Sequence, residues 1–123
     1  MTHGATLCPM PYFSAKASLH CITQEKITAF NGVPTMFIAM FNHEDYKKTD
    51  FSHMRTGIMA GSVCPEPLMK RVFEKMNMKE ITICYGLTEA SPVMTQSASL
   101  SYGMKFIGRR RKPNALDTRE LSY

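Results

Sequence analysis

A five-residue stretch, Tyr85-Gly86-Leu87-Thr88-Glu89, contains the side chains that a nucleotide site needs. Tyr85 offers a flat ring on which a base can stack, and Gly86 lets the backbone approach a ligand closely. The Thr88 hydroxyl can reach a phosphate oxygen, and the Glu89 carboxylate is the kind of hard oxygen ligand that Mg²⁺ prefers. A solvated glutamate and a tyrosine at a strand end would explain the same residues, so the stretch alone leaves both interpretations open.

The sequence around this stretch alternates between strand-like and helix-like segments. Short apolar or β-branched runs predict buried strands at residues 5–8, 27–30, 56–60 and 81–84, with residues 93–95 beginning a fifth. Helical patterns lie between them, at residues 15–24, at 35–41 and from Pro65 to about residue 76. The pair Asn31-Gly32 is predicted to end the second strand, and the polar residues 43–55 predict a surface connection.

Each predicted helix has features that favour a defined position on the sheet. Ser14 is a candidate N-cap for the first helix, and Pro34 suits the first turn of the second. Residues 35–41 are apolar nearly all round, which predicts a mostly buried helix. On the third helix Lys70 and Glu74 are spaced as an i,i+4 ion pair. Its opposite face has an apolar stripe that predicts core packing: Leu68, Met69, Val72, Phe73 and Met76.

This alternation predicts an α/β fold, with a mostly parallel sheet and flanking helices. In such sheets ligands bind outside the carboxyl ends of the strands. The rule selects three loops, at residues 31–35, 61–65 and 85–89. They are far apart in sequence, and we expect them to meet at one edge of the sheet.

Composition excludes several classes of protein. The 123 residues are 44% hydrophobic and 20% charged, as in ordinary globular domains. No apolar run approaches the roughly 20 residues of a transmembrane segment, and residues 1–10 have no pattern of a secretory signal or transit peptide. The four cysteines form no CxxC pair and the four histidines are scattered. We therefore expect reduced, mostly buried thiols and no His/Cys metal site.

The net charge of +5 is concentrated near the end of the sequence. Six of the 15 Lys/Arg residues lie within residues 105–123, around the run at 109–112. Such a run can contact nucleic acid or anionic lipid. No nucleic-acid motif or aromatic platform accompanies it, so we expect a solvated, poorly ordered tail and no nucleic-acid partner. A basic nucleic-acid-binding protein is the least favoured alternative.

Three stretches resemble, in order and spacing, motifs of the adenylate-forming (AMP-binding) superfamily. Residues 85–89 are similar to its fifth core motif. Residues 27–30 followed by 32–37 resemble its strand and acyl-pocket segment, and residues 54–62 resemble its Gly-rich segment on the adenine side. Within the superfamily the resemblance is closest to the fatty-acid (medium-chain) acyl-CoA synthetases, and it spans about residues 1–97.

The resemblance implies a fold, a reaction and its cofactors. The fold is part of the large N-terminal domain of an adenylate-forming enzyme. A fatty acid and Mg²⁺-bound ATP give acyl-AMP, and CoA then displaces AMP to form a thioester. The resemblance implies that Tyr85 stacks on adenine, with Gly86 beside it. It also implies that Thr88 binds the α-phosphate and that Glu89 binds Mg²⁺. Thr88 and Glu89 are therefore the catalytic candidates.

The same resemblance implies two neighbouring surfaces. Gly61 and Ser62 would line the adenine side of the site, and Gly32, Val33 and Pro34 would line the acyl pocket. A phosphorane-like transition state needs a cation and fixed donors, which agrees with a site built around a metal-bound nucleotide.

Several parts of a complete enzyme are missing from these 123 residues. The resemblance places a phosphate-gripping loop and an aromatic-His segment upstream of Met1. It places a ribose-binding Asp and a small C-terminal domain with a catalytic Lys downstream. We expect a partial AMP-binding domain at 1–97, a divergent basic tail at 98–123, and no activity of the chain alone. The alternative is a non-catalytic product that binds nucleotide or the parent enzyme weakly. The resemblance implies an intracellular location, mitochondrial or cytoplasmic, for the parent family, and the location of this chain is unknown.

Overall fold

The computed structural model describes residues 4–90 and 93–97, which form one four-stranded sheet with helices packed on it. The helices are α1 (Ala15–Gln24), α2 (Pro34–Phe41) and α3 (Glu66–Lys75), with short 3₁₀ segments at Glu44–Lys48 and Thr88–Ala90. The strands are β1 (Ala29–Gly32), β2 (Thr56–Met59), β3 (Glu80–Tyr85) and β4 (Thr95–Gln96).

The sheet has the spatial order β1-β2-β3-β4. The first three strands are parallel, with Ala29 paired to Thr56 and Thr56 paired to Glu80. β4 is antiparallel to β3, with Tyr85 opposite Thr95. Segments containing α2 and α3 connect the parallel strands, as parallel pairing requires. The predicted α/β class with a mostly parallel sheet is confirmed.

The helices begin where the sequence indicates. The Ser14 hydroxyl oxygen caps α1 by accepting a hydrogen bond from Ala17 N at 3.4 Å, and Pro34 occupies the first turn of α2. In α3, Lys70 pairs with Glu66 at 3.4 Å rather than with Glu74 as predicted. A glutamate on the N-terminal side of a lysine at i,i+4 is the more favourable arrangement, which explains this choice.

A methionine-rich core holds the helices against the sheet. Phe37 of α2 is fully buried and meets the Phe30 ring edge-on at 5.4 Å between centroids. The other fully or nearly fully buried side chains come from all three helices, two strands and the connections: Leu19, Ile22, Met40, Met54, Met59, Leu68, Met69, Val72, Met76, Met78 and Ile81. The unbranched methionines fill irregular gaps between the layers. Four residues of the predicted apolar stripe belong to this core, whereas Phe73 is only partly buried and has Lys79 Nζ 4.4 Å from its ring centroid.

Two strand predictions are wrong. Residues 5–8 form no strand and are exposed, because beside them the described residues provide neither a pairing strand nor a covering layer. β1 lies two residues later than predicted and includes Asn31-Gly32, the pair expected to end it. Asn31 Oδ1 accepts a hydrogen bond from Ile58 N at 3.0 Å, and Gly32 O accepts one from Ala60 N at 3.2 Å. Bonds to the β2 segment hold this turn-favouring pair extended.

Two burial predictions also need correction. α2 buries only Pro34, Phe37 and Met40, and Ile38 is 42% exposed, because the sheet covers one face of the helix. The four cysteines are free, but only Cys84 is buried.

The predicted tail at 98–123 lies outside the described residues. No helix in the described part of the chain is long and apolar enough to cross a membrane.

Candidate nucleotide and acyl site

The three predicted loops leave the sheet at the same edge. In the parallel register Gly32 is paired with Met59, and Met59 with Ile83, so the strands carry their following loops to one side. Gly61 lies two residues beyond Met59, and Tyr85 lies two residues beyond Ile83. The carboxyl edge of the sheet thus brings together segments separated by more than 50 residues of sequence.

The loops after β1 and β2 are in direct contact. Gly61 has a φ of +85°, a left-handed conformation that favours glycine. A Cβ atom added at Gly61 would lie 2.8 Å from Val33 Cγ1, closer than carbon atoms approach without displacement. A glycine is therefore favoured at position 61 for two reasons: its backbone angle is left-handed, and Val33 occupies the space that a side chain would need.

The predicted acyl-pocket residues differ in their exposure. Pro34 is buried under the first turn of α2, whereas Gly32 and Val33 are partly exposed. A Cβ atom at Gly32 would lie 3.0 Å from Phe30 Cε1, so this glycine lets the Phe30 ring pack beneath the loop. Gly32 and Val33 present a surface toward the edge, and Pro34 fixes the start of the helix behind it.

The loop after β3 presents its side chains to solvent. Tyr85 is 62% exposed, and Gly86, Leu87, Thr88 and Glu89 are also exposed. None of the ion pairs formed within the described part of the chain involves the Glu89 carboxylate.

Bonds to the segment around β4 hold this loop in place. Met94 N donates to Tyr85 O at 2.9 Å, and Ser97 N donates to Ile83 O at 2.8 Å. Ser97 Oγ in turn accepts from Ile83 N at 2.9 Å. These contacts fix the backbone at the end of β3 while leaving the Tyr85 ring free.

Cys64 is a contributor that the sequence analysis missed. Its thiol donates to the carbonyl oxygens of Met59 and Ser62, both at 3.6 Å, and so closes the loop that contains Gly61 and Ser62. Burial raises the pKa of Cys64, which keeps the thiol protonated as this donation requires. A lone Cys before a proline-rich helix start gives no sequence signal for this role.

The donor set at the edge fits a metal-bound nucleotide better than a preformed metal site. Among residues 4–90 and 93–97, no three His, Cys, Asp or Glu side chains are grouped to hold an ion. Mg²⁺ commonly keeps several waters and uses one or two carboxylates together with substrate phosphates. A single carboxylate at Glu89, next to the Thr88 hydroxyl, matches that pattern.

A groove lies in another part of the molecule, away from the three loops. It has a volume of about 630 Å³ and lies between α1 and the 3₁₀ segment Glu44–Lys48. Its walls include Lys16, His20, Asp45 and Lys48, and none of its lining residues belongs to the three loops. The loop after β3 at the sheet edge is instead exposed to solvent.

Comparison with known proteins gives consistent matches. The acyl-CoA ligase sidI of Aspergillus fumigatus is 50% identical over 93 residues, which is 75% of this chain and 16% of that protein. The mitochondrial medium-chain acyl-CoA ligase ACSF2 of Mus musculus is 46% identical over 94 residues, which is 76% of this chain and 15% of that protein. The chain thus spans only about a sixth of the length of these relatives.

A solved structure agrees with the fold. The inhibitor-bound N-terminal domain of FACL13 from Mycobacterium tuberculosis superimposes with a TM-score of 0.64 at 28% identity, covering 73% of this chain and 22% of that one. The model of the AMP-binding enzyme family matches residues 1–115, nearly the whole sequence. With its parallel sheet, its three loops at one edge and these matches, the chain belongs to the family of AMP-binding enzymes.

Proposed function

We propose that the chain is part of a fatty-acid–CoA ligase and forms one side of its adenylate and acyl site. In this reaction a carboxylate oxygen attacks the α-phosphorus of ATP and pyrophosphate leaves. The CoA thiol then displaces AMP from the acyl-adenylate to give a thioester. The relatives named acyl-CoA ligases support the reaction class, and the medium-chain specificity in the mouse protein's name supports a fatty acid as the carboxylate.

The observation that carries the proposal is the meeting of three loops at the carboxyl edge of the sheet. There the Tyr85 ring, the Thr88 hydroxyl and the Glu89 carboxylate are all exposed. The ring would stack on adenine with Gly86 beside it, the hydroxyl would donate to the α-phosphate, and the carboxylate would hold Mg²⁺. The bound cation would compensate the negative charge that develops on the phosphate oxygens.

The contact between Gly61 and Val33 supports a proposal in which the two half-sites lie side by side. Gly61 and Ser62 would face the adenine side, while Gly32, Val33 and Pro34 would form or support the acyl wall. The acyl carboxylate and the α-phosphate must meet where these walls join. A near-attack geometry of this kind can lower a barrier by roughly 7–11 kcal/mol when the groups are held in position.

We also propose that the 123-residue chain does not make acyl-CoA by itself. The three loops, residues 31–35, 61–65 and 85–89, contain no Lys or Arg. A triphosphate bound there would have only Mg²⁺ to balance its charge, and preorganised cations and donors usually supply the largest share of catalysis. The missing groups would have to come from other segments of a longer ligase.

A chimera tests the proposed site with this chain's own residues. The aligned 94-residue segment of the mouse ligase is replaced by the corresponding residues of this chain, and carboxylate-dependent exchange of labelled pyrophosphate into ATP is measured. Glu89→Gln keeps the side-chain size and removes the charge, so we expect about a hundredfold lower exchange, equal to about 3 kcal/mol in the barrier.

The matched control is Glu74→Gln, an exposed glutamate on α3 that belongs to none of the three loops. It should leave the exchange rate within about twofold of the parent chimera, because surface changes of this kind are small. Equal exchange by the Glu89→Gln and parent chimeras at saturating Mg²⁺ would overturn the metal assignment. Exchange that requires an aryl rather than a fatty acid would overturn the substrate class.

The isolated chain is assayed in the same way with a panel of fatty acids. We expect exchange no higher than the enzyme-free blank. Nucleotide binding without exchange would favour the non-catalytic alternative, in which the chain binds nucleotide or the parent ligase weakly. Exchange that Glu89→Gln abolishes would show that the inactivity proposal is wrong.

A further inference from the structure

Two of the four cysteines lie next to each other on the face of the molecule formed by α1. Cys8 is exposed, Cys21 of α1 is partly exposed, and both thiols are free. Burial is the largest cause that raises the pKa of Cys21, followed by the charges of Cys8 and Glu25 and a side-chain hydrogen bond with Cys8. Cys8 is thus within interaction range of Cys21, although 13 positions separate them.

A second contact accounts for this proximity independently. The Ser18 hydroxyl of α1 donates to Met10 Sδ at 3.7 Å, which fixes the N-terminal segment along the helix. Cys21 follows Ser18 by three positions and so lies on the same helix face, one turn further on. Cys8 precedes Met10 by two positions. The Met10 contact therefore aligns the segment so that Cys8 reaches the turn containing Cys21.

The other two cysteines have different surroundings. The Cys64 thiol donates to the carbonyl oxygens of Met59 and Ser62, and Cys84 is buried in the strand β3. Thiols engaged with backbone or covered by core side chains are poorly accessible to small reagents. Accessibility and proximity coincide only at Cys8 and Cys21 in the part of the chain that the structure describes.

We propose that Cys8 and Cys21 form a dithiol site that reacts reversibly with low-molecular-weight disulfides and closes an intramolecular disulfide between residue 8 and α1. In the first step the thiolate of Cys8 attacks one sulfur of the small disulfide, forms a mixed disulfide and releases one small thiol. In the second step the thiolate of Cys21 attacks the Cys8 sulfur and releases the second small thiol. The two cysteines are oxidised by two electrons, the reagent is reduced to two thiols, and the two cysteine protons pass to them.

The arrangement suits this exchange. Cys8 is the more exposed thiol, so it meets the reagent first, and Cys21 is positioned as the resolving thiol. Residues 4–11 form neither helix nor strand, so their backbone can adopt the short Cα separation that a disulfide needs without breaking an element. Closure would tie the N-terminal segment to α1 and protect it from proteases.

The experiment uses the purified 123-residue chain, incubated with oxidised glutathione at pH 8, alkylated and digested with trypsin. Cleavage after Lys16 and Lys26 separates the two cysteines into peptides 1–16 and 17–26. We expect a disulfide-linked pair of these two peptides. It should be at least tenfold more abundant than the linked pair of peptides 56–70 and 80–105, which carry Cys64 and Cys84. Dithiothreitol should reverse the link.

Two controls separate this site from random pairing. Loop closure alone favours the shorter Cys8–Cys21 loop over the Cys64–Cys84 loop by only about twofold, so in 6 M urea the preference should fall to about that value. Cys64→Ser should leave the link unchanged, whereas Cys8→Ser and Cys21→Ser should each leave only glutathione-capped thiols. A native preference no greater than in urea, or a dominant link through Cys64, would overturn the proposal.

Discussion

The loops at the carboxyl edge of the sheet differ in how they are built. The contact between the loops after β1 and β2 is made by packing, because Gly61 fits against Val33, Phe30 lies under Gly32 and Cys64 bonds to two carbonyl groups. The contacts that hold the loop after β3 in the described residues are made to its backbone, and the Tyr85, Thr88 and Glu89 side chains face solvent. The first pair of loops is shaped by the described residues themselves, whereas the third has exposed side chains that we propose contact a ligand.

This difference separates residues that give the edge its shape from residues that we propose carry out the chemistry. Substitutions in the packed region should lower stability, whereas substitutions in the exposed loop should change nucleotide handling with little effect on stability. The following predictions test that separation, beginning with the largest expected effect.

The largest effect is expected from removing the ring beneath the packed region. Phe37 is fully buried against Phe30, so Phe37→Ala should lower the free energy of unfolding by about 3–5 kcal/mol. The comparison is Tyr85→Ala, which removes another aromatic ring but an exposed one and should cost no more than about 0.5 kcal/mol. Urea denaturation followed by circular dichroism measures both in the 123-residue chain. Similar losses in the two variants would contradict the division between the regions.

The second effect concerns the contact between the loops. Gly61→Ala forces a side chain into a left-handed conformation, at a cost of about 1–2 kcal/mol, and adds a collision with Val33. Gly4 has a similar φ of +71° but no atom within 4 Å of an added Cβ, so Gly4→Ala measures the backbone effect without the collision.

Adding Val33→Ala to Gly61→Ala removes the methyl group that the new Cβ meets. The double variant should therefore recover the part of the loss that exceeds the Gly4→Ala value, and a double-mutant cycle isolates this coupling energy. Additive losses from Gly61→Ala and Val33→Ala would mean that the two loops are not in contact.

How much of this arrangement could be predicted depends on the range of the interactions. The Ser14 cap, Pro34 at the start of α2 and the apolar stripe of α3 are local signals, and the helices begin where these signals placed them. The position of the three loops at one edge was also predictable, because parallel strands separated by helices all end at the same edge of the sheet.

The wrong strand predictions depended on partners distant in sequence. Asn31-Gly32 has the local character of a turn, yet its bonds to Ile58 and Ala60 hold it in β1. Residues 5–8 have the pattern of a strand but no strand beside them in the described residues. The Cys64 and Val33 contacts with the loop around Gly61 likewise appear only once the chain is folded, since no spacing in the sequence encodes them.

The third effect concerns nucleotide binding and should leave stability unchanged. In the mouse chimera, Tyr85→Ala should raise the KM for ATP about tenfold, because an aromatic contact contributes up to about 1.5 kcal/mol beyond its buried area. Tyr85→Phe keeps the ring and should restore the KM to within about twofold of the parent. A kcat loss with unchanged KM, or no recovery by phenylalanine, would argue against stacking on adenine.

The smallest effect belongs to the thiol that closes the loop after β2. Cys64→Ala removes the donor to two carbonyl groups and should lower the free energy of unfolding by about 0.5–1.5 kcal/mol, whereas Cys64→Ser retains a donor and should lose less.

Burial raises the pKa of Cys64 in the folded chain, so the unfolded chain releases this proton first as the pH rises. The contribution of the thiol is therefore complete below the pKa of the unfolded thiol and is lost as the pH rises toward the higher folded value. Urea denaturation at pH 7 and pH 10 should show a larger alkaline loss for the parent than for Cys64→Ser, with Cys8→Ser as the control at the exposed cysteine. An equal alkaline loss in the parent and in Cys64→Ser would show that this thiol does not stabilise the loop.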